Sequence, residues 1–405
     1  MAQLYFSRDV KVYIQTAAAT WQVPILDGYS FSQGTNSVEV TLAEMSGTAG
    51  VSKRGRKMFN DSLAPAEWSF STYARPFTAA GAALAQHQTH ASTAGVGSAD
   101  AAAETHAVEE VLWALAAGAA VYDTSDSSFK SAGSVAYTTP GSGTQAITFA
   151  QSNLSALGTA TIWFAFPDAD GGTDIAVYKL NKCVVNEATM NFDIDGIAQI
   201  DWSGMGSEVE ESDQTALNTA IAVTGSGIYI DEGMGCSVTG NFIRNRLSTM
   251  TLTAANTTVF PGASTNGVYN IVLTGGSVTV SNNITFLTPS ELGCVNIPLG
   301  HVTGSRSISG SIDCYLNNDA DELGGSGELF EDLTSNAGRV LATNSFALTL
   351  NVGGTTGPAV TFAMPTAHLE IPAHDLQDVV SLTTSFHALP STIDGADELT
   401  VTYKS

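Results

Sequence analysis

Basic residues are scarce in this chain. Lys and Arg number 15 among 405 residues, against 39 Asp and Glu, which gives a formal net charge of −24. The deficit runs through the whole length: residues 1–225 carry 10 basic and 23 acidic side chains, and residues 226–405 carry 5 and 16. Strong binding of DNA needs Lys and Arg to displace counterions from phosphates, so this composition argues against tight nucleic-acid binding. Cysteine is nearly as sparse. Cys183, Cys236, Cys294 and Cys314 show neither metal nor redox spacing and read as small buried residues rather than a disulfide framework. No apolar run approaches the roughly 20 residues that span a bilayer, so no membrane partner is expected. Met1-Ala2-Gln3-Leu4 leads directly to Arg8, Asp9 and Lys11, which is not a secretory leader and points to assembly in a reducing cytoplasm. Also missing are a nucleophile motif and a carboxylate pair that stands out from the general acidity, so neither enzymatic activity nor a cofactor is expected.

What the sequence does have is strand alternation, broken by Gly, Asn, Ser and Thr. Its hydrophobic content, 43%, suffices for real cores. In residues 37–42 the expected apolar face is Val38, Val40 and Leu42. In residues 189–195 it is Met190, Phe192 and Ile194, and in 199–203 it is Ile200 and Trp202. Strands with one apolar and one polar face belong to antiparallel sheets. One long helix is expected from His106 to Gly118, with Thr105 as cap, Glu109 and Glu110 in its first turns, and Gly118 as its stop. Residues 78–105 are Ala- and Gly-rich and read as an insertion, and 119–146 look similarly loose.

The order strand, strand, helix, strand, strand occurs twice. Tyr29–Ser32, Trp68–Ser71, the helix, Met190–Asp193 and Ile200–Ser203 form one series. Ser277–Val280, Ser307–Ser309, a short helix over Ser326–Leu333, His368–Ile371 and Thr384–His387 form the other. The expected organisation is a first unit over 1–205, with the 78–105 insertion, a linker over 206–227, and a second unit over 228–405. A duplicated β-unit lets a ring protein halve its subunit number while keeping its symmetry.

Candidate sites are few. His87, His90 and His106 lack a firm scaffold for zinc. Asp168–Asp174 lacks the closing Glu of a calcium loop and reads as a hairpin turn. Gly324–Gly327 has no P-loop Lys and reads as helix entry. The Lys53-Arg54-Gly55-Arg56-Lys57 cluster holds four of the 15 basic residues. It reads as a solvated loop, or as a loop that docks on an acidic surface of another copy, with nucleic-acid binding through the loop as a third, less favoured reading.

Lys53–Tyr73, with Trp68-Ser69-Phe70-Ser71-Thr72-Tyr73 at its end, resembles the trimeric tail tube proteins of long-tailed, non-contractile bacteriophages. So do Asn282-Asn283-Ile284-Thr285-Phe286-Leu287-Thr288-Pro289 and Ser309-Gly310-Ser311-Ile312-Asp313-Cys314-Tyr315-Leu316-Asn317. The similarity runs from about residue 4 to residue 399, in order. It implies a mainly β fold: two tandem β-sandwich domains, each with a flanking α-helix, whose inner sheets join a ring-wide β-barrel. It further implies trimeric, pseudo-hexameric rings that stack into a virion tail and conduct genomic DNA as transiting cargo. Tape measure and tail terminator or tip proteins would be further partners. On this reading Lys53, Arg54, Arg56 and Lys57 form an inter-ring contact loop. The acidic residues Glu39, Glu67, Asp193, Asp195, Asp201, Asp313 and Glu370 would line the lumen, on the polar faces of the inner strands. A β-sandwich binding or decoration protein is the alternative; an enzyme such as a polysaccharide hydrolase would need a carboxylate pair that nothing nominates.

Overall fold

The computed structural model describes residues 4–16, 20–40, 57–79, 104–119, 121–123, 128–131, 135–149, 157–168, 175–223, 227–228, 241–263, 266–292, 295–317, 324–340, 345–376, 379–393 and 395–405. The fold is mainly β with large antiparallel sheets.

Eight strands and one helix make the first series: β1 (Lys11–Gln15), β2 (Thr20–Val23), β3 (Ser30–Val40), β4 (Lys57–Tyr73), α1 (Glu110–Ala117), β5 (Ala160–Pro167), β6 (Ile175–Asp193), β7 (Gln199–Gly206) and β8 (Glu208–Ser212). The second series repeats it: β9 (Thr249–Ala254), β10 (Val268–Asn270), β11 (Leu273–Ser281), β12 (Ser307–Tyr315), α2 (Ser326–Thr334), β13 (Phe346–Val352), β14 (Ala359–Leu369), β15 (Val380–Ala388) and β16 (Thr400–Lys404). The pairings repeat as well. In the first series β1 pairs with β2 and β5, β5 with β6, β6 with β7 and β8, and β4 with β7 and β3. In the second, β9 pairs with β10 and β13, β13 with β14, β14 with β15 and β16, and β12 with β15 and β11.

The two series join edge to edge. β6 pairs antiparallel with β11, from Glu187 opposite Ser281 to Asp193 opposite Gly275. One sheet therefore runs β3-β4-β7-β6-β11-β12-β15-β14. Two buried hydrogen bonds lock the seam: Asn282 Nδ2 donates to Ala116 O at the end of α1 (3.0 Å) and to Val185 O of β6 (3.1 Å).

The helices differ because their surroundings differ. Every residue of α1 is buried, since it lies against β6 on one side and the Thr144–Thr148 strand on the other. Trp113 stacks edge-on against Trp202 at 4.9 Å and against Phe149 at 6.2 Å. In α2, Leu329 and Leu333 are buried while Phe330 and Glu331 are not, the pattern of a helix with one face to solvent.

Several sequence expectations need correction. Thr105 does not cap α1: it lies buried in a strand, Glu104–Ala107, and Glu109 precedes the helix without a side-chain cap bond. Gly118 does end it, at φ 109°. The described residues of 119–146 are not loose. They contain the strands Val121–Asp123, Ser128–Lys130, Thr138–Pro140 and part of Thr144–Thr148, with Tyr122, Phe129 and Tyr137 in the core. Residues 206–212, expected to open a linker, belong largely to β8, which pairs with β6, and the helix Gln214–Val223 follows. Val38 and Val40 are not a core face but exposed. Ile194, placed with Met190 and Phe192, is also exposed, because β6 ends at Asp193 and the chain turns there.

Candidate assembly and channel surfaces

Residues paired directly across an antiparallel ladder share a face, so the registers define what the long sheet displays. Its buried face carries Trp68, Phe70, Met190, Ile200, Trp202, Val278, Ile308 and Phe386. The opposite face is polar. One row across it reads Ser30, Ser69, Ser203, Glu187, Ser281, Ser307. The next reads Ser71, Asp201, Thr189, Thr279, Ser309, His387, His368. Further along, Gln199, Asn191, Ser277, Ser311 and Ser385 align, and then Asp193, Gly275, Asp313 and Thr383. No Lys or Arg stands in these rows.

Hydroxyls hold the acids in place. Ser71 donates to Asp201 and Thr383 to Asp313, each at 2.6 Å. Thr189 and Thr279 bond across the seam at 3.0 Å. Glu370, whose N–H donates to Ser385 O, lies 3.5 Å from His387 Nε2.

Of the seven acids singled out from the sequence, Glu67, Asp193, Asp201, Asp313 and Glu370 are thus brought onto or beside one surface. Asp195 instead sits in the turn after β6, 3.7 Å from Arg246. Glu39 lies on the far part of the β3–β4 hairpin, opposite Met58. Glu187 was missed; its alternation with Thr189 and Asn191 could have revealed it. Of the basic cluster, Lys57 opens β4 and is exposed, whereas Lys53, Arg54 and Arg56 lie outside the described residues, as do His87, His90 and Asp170–Asp174.

Elsewhere the candidate chemistry is occupied by packing. His106 is buried, with Nδ1 2.8 Å from Glu110. Asp168 lies at the foot of the β5–β6 hairpin, where Pro167 pairs with Ile175. Gly325 precedes α2, as helix entry requires. Cys183 and Cys314 are buried thiols; burial, with Asp313 beside it, pushes Cys314 up to about 11. Among the described residues there is no cluster of three metal-ligating side chains, and no helix is long and apolar enough to cross a membrane.

No protein-family model matches the chain. It is 28% identical to the tail tube protein pb6 of Escherichia phage T5 over 407 aligned residues, covering 98% of this chain and 75% of that protein. The chain is therefore similar, over almost its entire length, to a bacteriophage tail tube protein, as its own motifs suggested.

Proposed function

We propose that this chain is a structural subunit of a phage tail, in which three copies close a pseudo-hexameric ring and the rings stack into a tube that conducts DNA during ejection. The observation that carries this reading is the β6–β11 seam. Two equivalent units already join there as one sheet, and the same operation applied again brings β14 of one copy against β3 of the next. Among the described residues β3 has β4 as its one strand neighbour. Closing the sheet would remove an edge that otherwise invites aggregation.

The polar face supports the channel role. Glu67, Glu187, Asp193, Asp201, Asp313 and Glu370 would look into the lumen and repel phosphates from every wall. DNA would then slide without adhesion, an effect screened over about 8 Å at physiological salt. Glu39 and Asp195 would sit nearer the two rims. Lys53, Arg54, Arg56 and Lys57 would meet acidic groups of the neighbouring ring. By resemblance, a tape measure protein would occupy the channel before ejection, and terminator and tip proteins would cap the ends. Assembly would precede virion completion in the host cytoplasm.

Electron microscopy of the purified full-length chain tests the reading. Hollow rings or tubes with pseudo-sixfold symmetry are expected, and dispersed monomers at every concentration would overturn it.

A further inference from the structure

β8 and β16 hold the same place in their two series, yet their far edges differ. Each pairs with the first part of a long strand: β8 with residues 177–181 of β6, and β16 with residues 359–363 of β14. The far edge of β16 is covered. The Thr144–Thr148 strand of the first series lies antiparallel along it, from Thr144 opposite Lys404 to Thr148 opposite Thr400. β8 has β6 as its one strand neighbour among the described residues. Val209 donates its N–H to Gln33 Oε1 at 3.0 Å, and so points that group away from β6. Bonding direction alternates along an antiparallel strand. The C=O of Val209 and both backbone groups of Glu211 therefore face the same open side, and Glu211 is exposed.

We propose that the open edge of β8 takes an extended, Lys- or Arg-bearing segment of another protein as an added strand. The covered edge of β16 displays the shape of such an occupant, an antiparallel strand of five residues. The equivalent segment of a neighbouring copy is too short to supply it. Residues 118–159 lie between α1 and β5 and hold the Thr144–Thr148 strand, whereas 335–345 alone lie between α2 and β13, with Asn336–Arg339 helical. The edge would thus stay open in an assembled ring, once per copy; this step rests on the ring-and-tube reading, and the open edge itself does not. Side chains set the chemistry of the partner. Three of the five β8 residues are Glu. Glu210 is held by Lys179 at 2.6 Å, while burial and the neighbouring Glu210 lift Glu208 above its ordinary value. A cationic strand would relieve this crowding as its backbone pairs with Val209 and Glu211. The same charges oppose pairing of β8 with β8 of a second copy, as charged edge strands do. β8 lies on the part of β6 that precedes the β6–β11 seam, so the added strand would stand outside the long sheet and its polar face.

The test uses the full chain, assembled and unassembled, and a fluorescent Lys-Val-Lys-Val-Lys-Val-Lys peptide followed by anisotropy. The same peptide with N-methylated valines keeps the charge but cannot add as a strand. Native protein in both states should bind the first peptide saturably, at one site per chain. The methylated peptide should bind at least about tenfold more weakly, the scale of one lost hydrogen bond. Glu211→Pro removes an outward N–H without touching the ladder to β6, and should weaken binding similarly at an unchanged melting temperature. Glu208→Gln/Glu211→Gln should retain binding but flatten its dependence on salt. No saturable binding, or equal affinity for both peptides, would overturn the proposal, the latter by reducing it to general attraction to an acidic chain. Binding to unassembled protein but not to tubes would overturn it in favour of a second copy on the edge. Strand-dependent binding by a chain that never forms rings or tubes would bring down the ring-and-tube reading and leave the open edge standing.

Discussion

Tyr403, in the C-terminal strand β16, donates its hydroxyl to Glu109 at the start of α1, 294 positions away. Its oxygen in turn accepts from Trp113 Nε1 at 2.9 Å. The end of the second series is thus pinned inside the core of the first. Tyr403→Phe should remove the hydroxyl that bonds both a buried carboxyl and a buried indole N–H and cost about 1–3 kcal/mol. A denaturant midpoint unchanged by the substitution would show that the pin carries no stability.

The same cluster makes stability depend on pH. Burial lifts Glu109 from 4.5 to about 7, against the lowering effect of Tyr403. Burial alone would lower His106, but Glu110 and Glu104 outweigh it and lift the imidazole from 6.5 to about 9. In both cases the folded chain holds a proton that the unfolded chain has released. The stabilisation is full below the unfolded value and is lost as pH rises through the folded one. The denaturant midpoint should therefore fall between about pH 5 and about pH 9. Glu109→Gln should flatten the lower part of that decline. A midpoint that rises across this range contradicts the assignment.

Aromatic rings lie over glycines at matching joints of the sheet. A Cβ on Gly204 of β7 would come within 2.4 Å of the Trp68 ring of β4 and 2.1 Å of Val184 O. A Cβ on Gly310 of β12 would come within 2.6 Å of the Phe386 ring of β15 and 2.0 Å of Ser277 O. Gly204→Ala or Gly310→Ala should each destabilise by about 1–3 kcal/mol or more, because the backbone oxygen cannot yield cheaply. Gly300→Ala, with nothing within 4 Å of its added methyl, serves as the control. Equal melting temperatures for all three would refute the close-packing account.

Replacing Glu187, Asp201 and Asp313 together by Lys should leave the fold intact, since all three occupy the polar face. If that face lines the channel, variant tubes should retain DNA that native tubes release. Retention should weaken with salt at a log–log slope of about 0.9 per phosphate contacted. Identical DNA release by both would remove the electrostatic role.

Changing Lys53, Arg54, Arg56 and Lys57 together to Glu should slow tube growth without altering the melt. Normal growth rates would exclude these cations from the ring-to-ring contact.

The duplicated order and the polar faces were legible in the sequence because period-two alternation survives wherever one side of a strand is buried. Met190, Ile200 and Trp202 point inward as their spacing requires. Val38 and Val40 alternate just as well, yet they are exposed, because alternation reports two different faces and not which neighbour covers them. Thr105 looked like a cap because Thr caps helices locally; pairing with Thr78 in a strand overrides that preference. The segment 119–146 read as loose because its strands are short and separated by Gly, Ser and Asp. Tyr122 and Phe129 found burial against Trp21 of β2, and Tyr137 is buried as well. The pocket at the seam, lined in part by Ile194 and Tyr315, was not legible at all, since these residues are brought together only by the β6–β11 pairing.

That pairing bears on how assembly would proceed in time. For a six-unit ring, every second joint would be inherited with the polypeptide rather than found by collision. Tethering turns those joints into intramolecular events, with effective local concentrations in the millimolar range for short connections. Ring closure would then be a meeting of three bodies instead of six, and its rate would depend far less steeply on how much protein the cell has made. Incomplete rings are correspondingly fewer in kind. The duplication would thus act on the kinetics of nucleation as much as on the finished geometry.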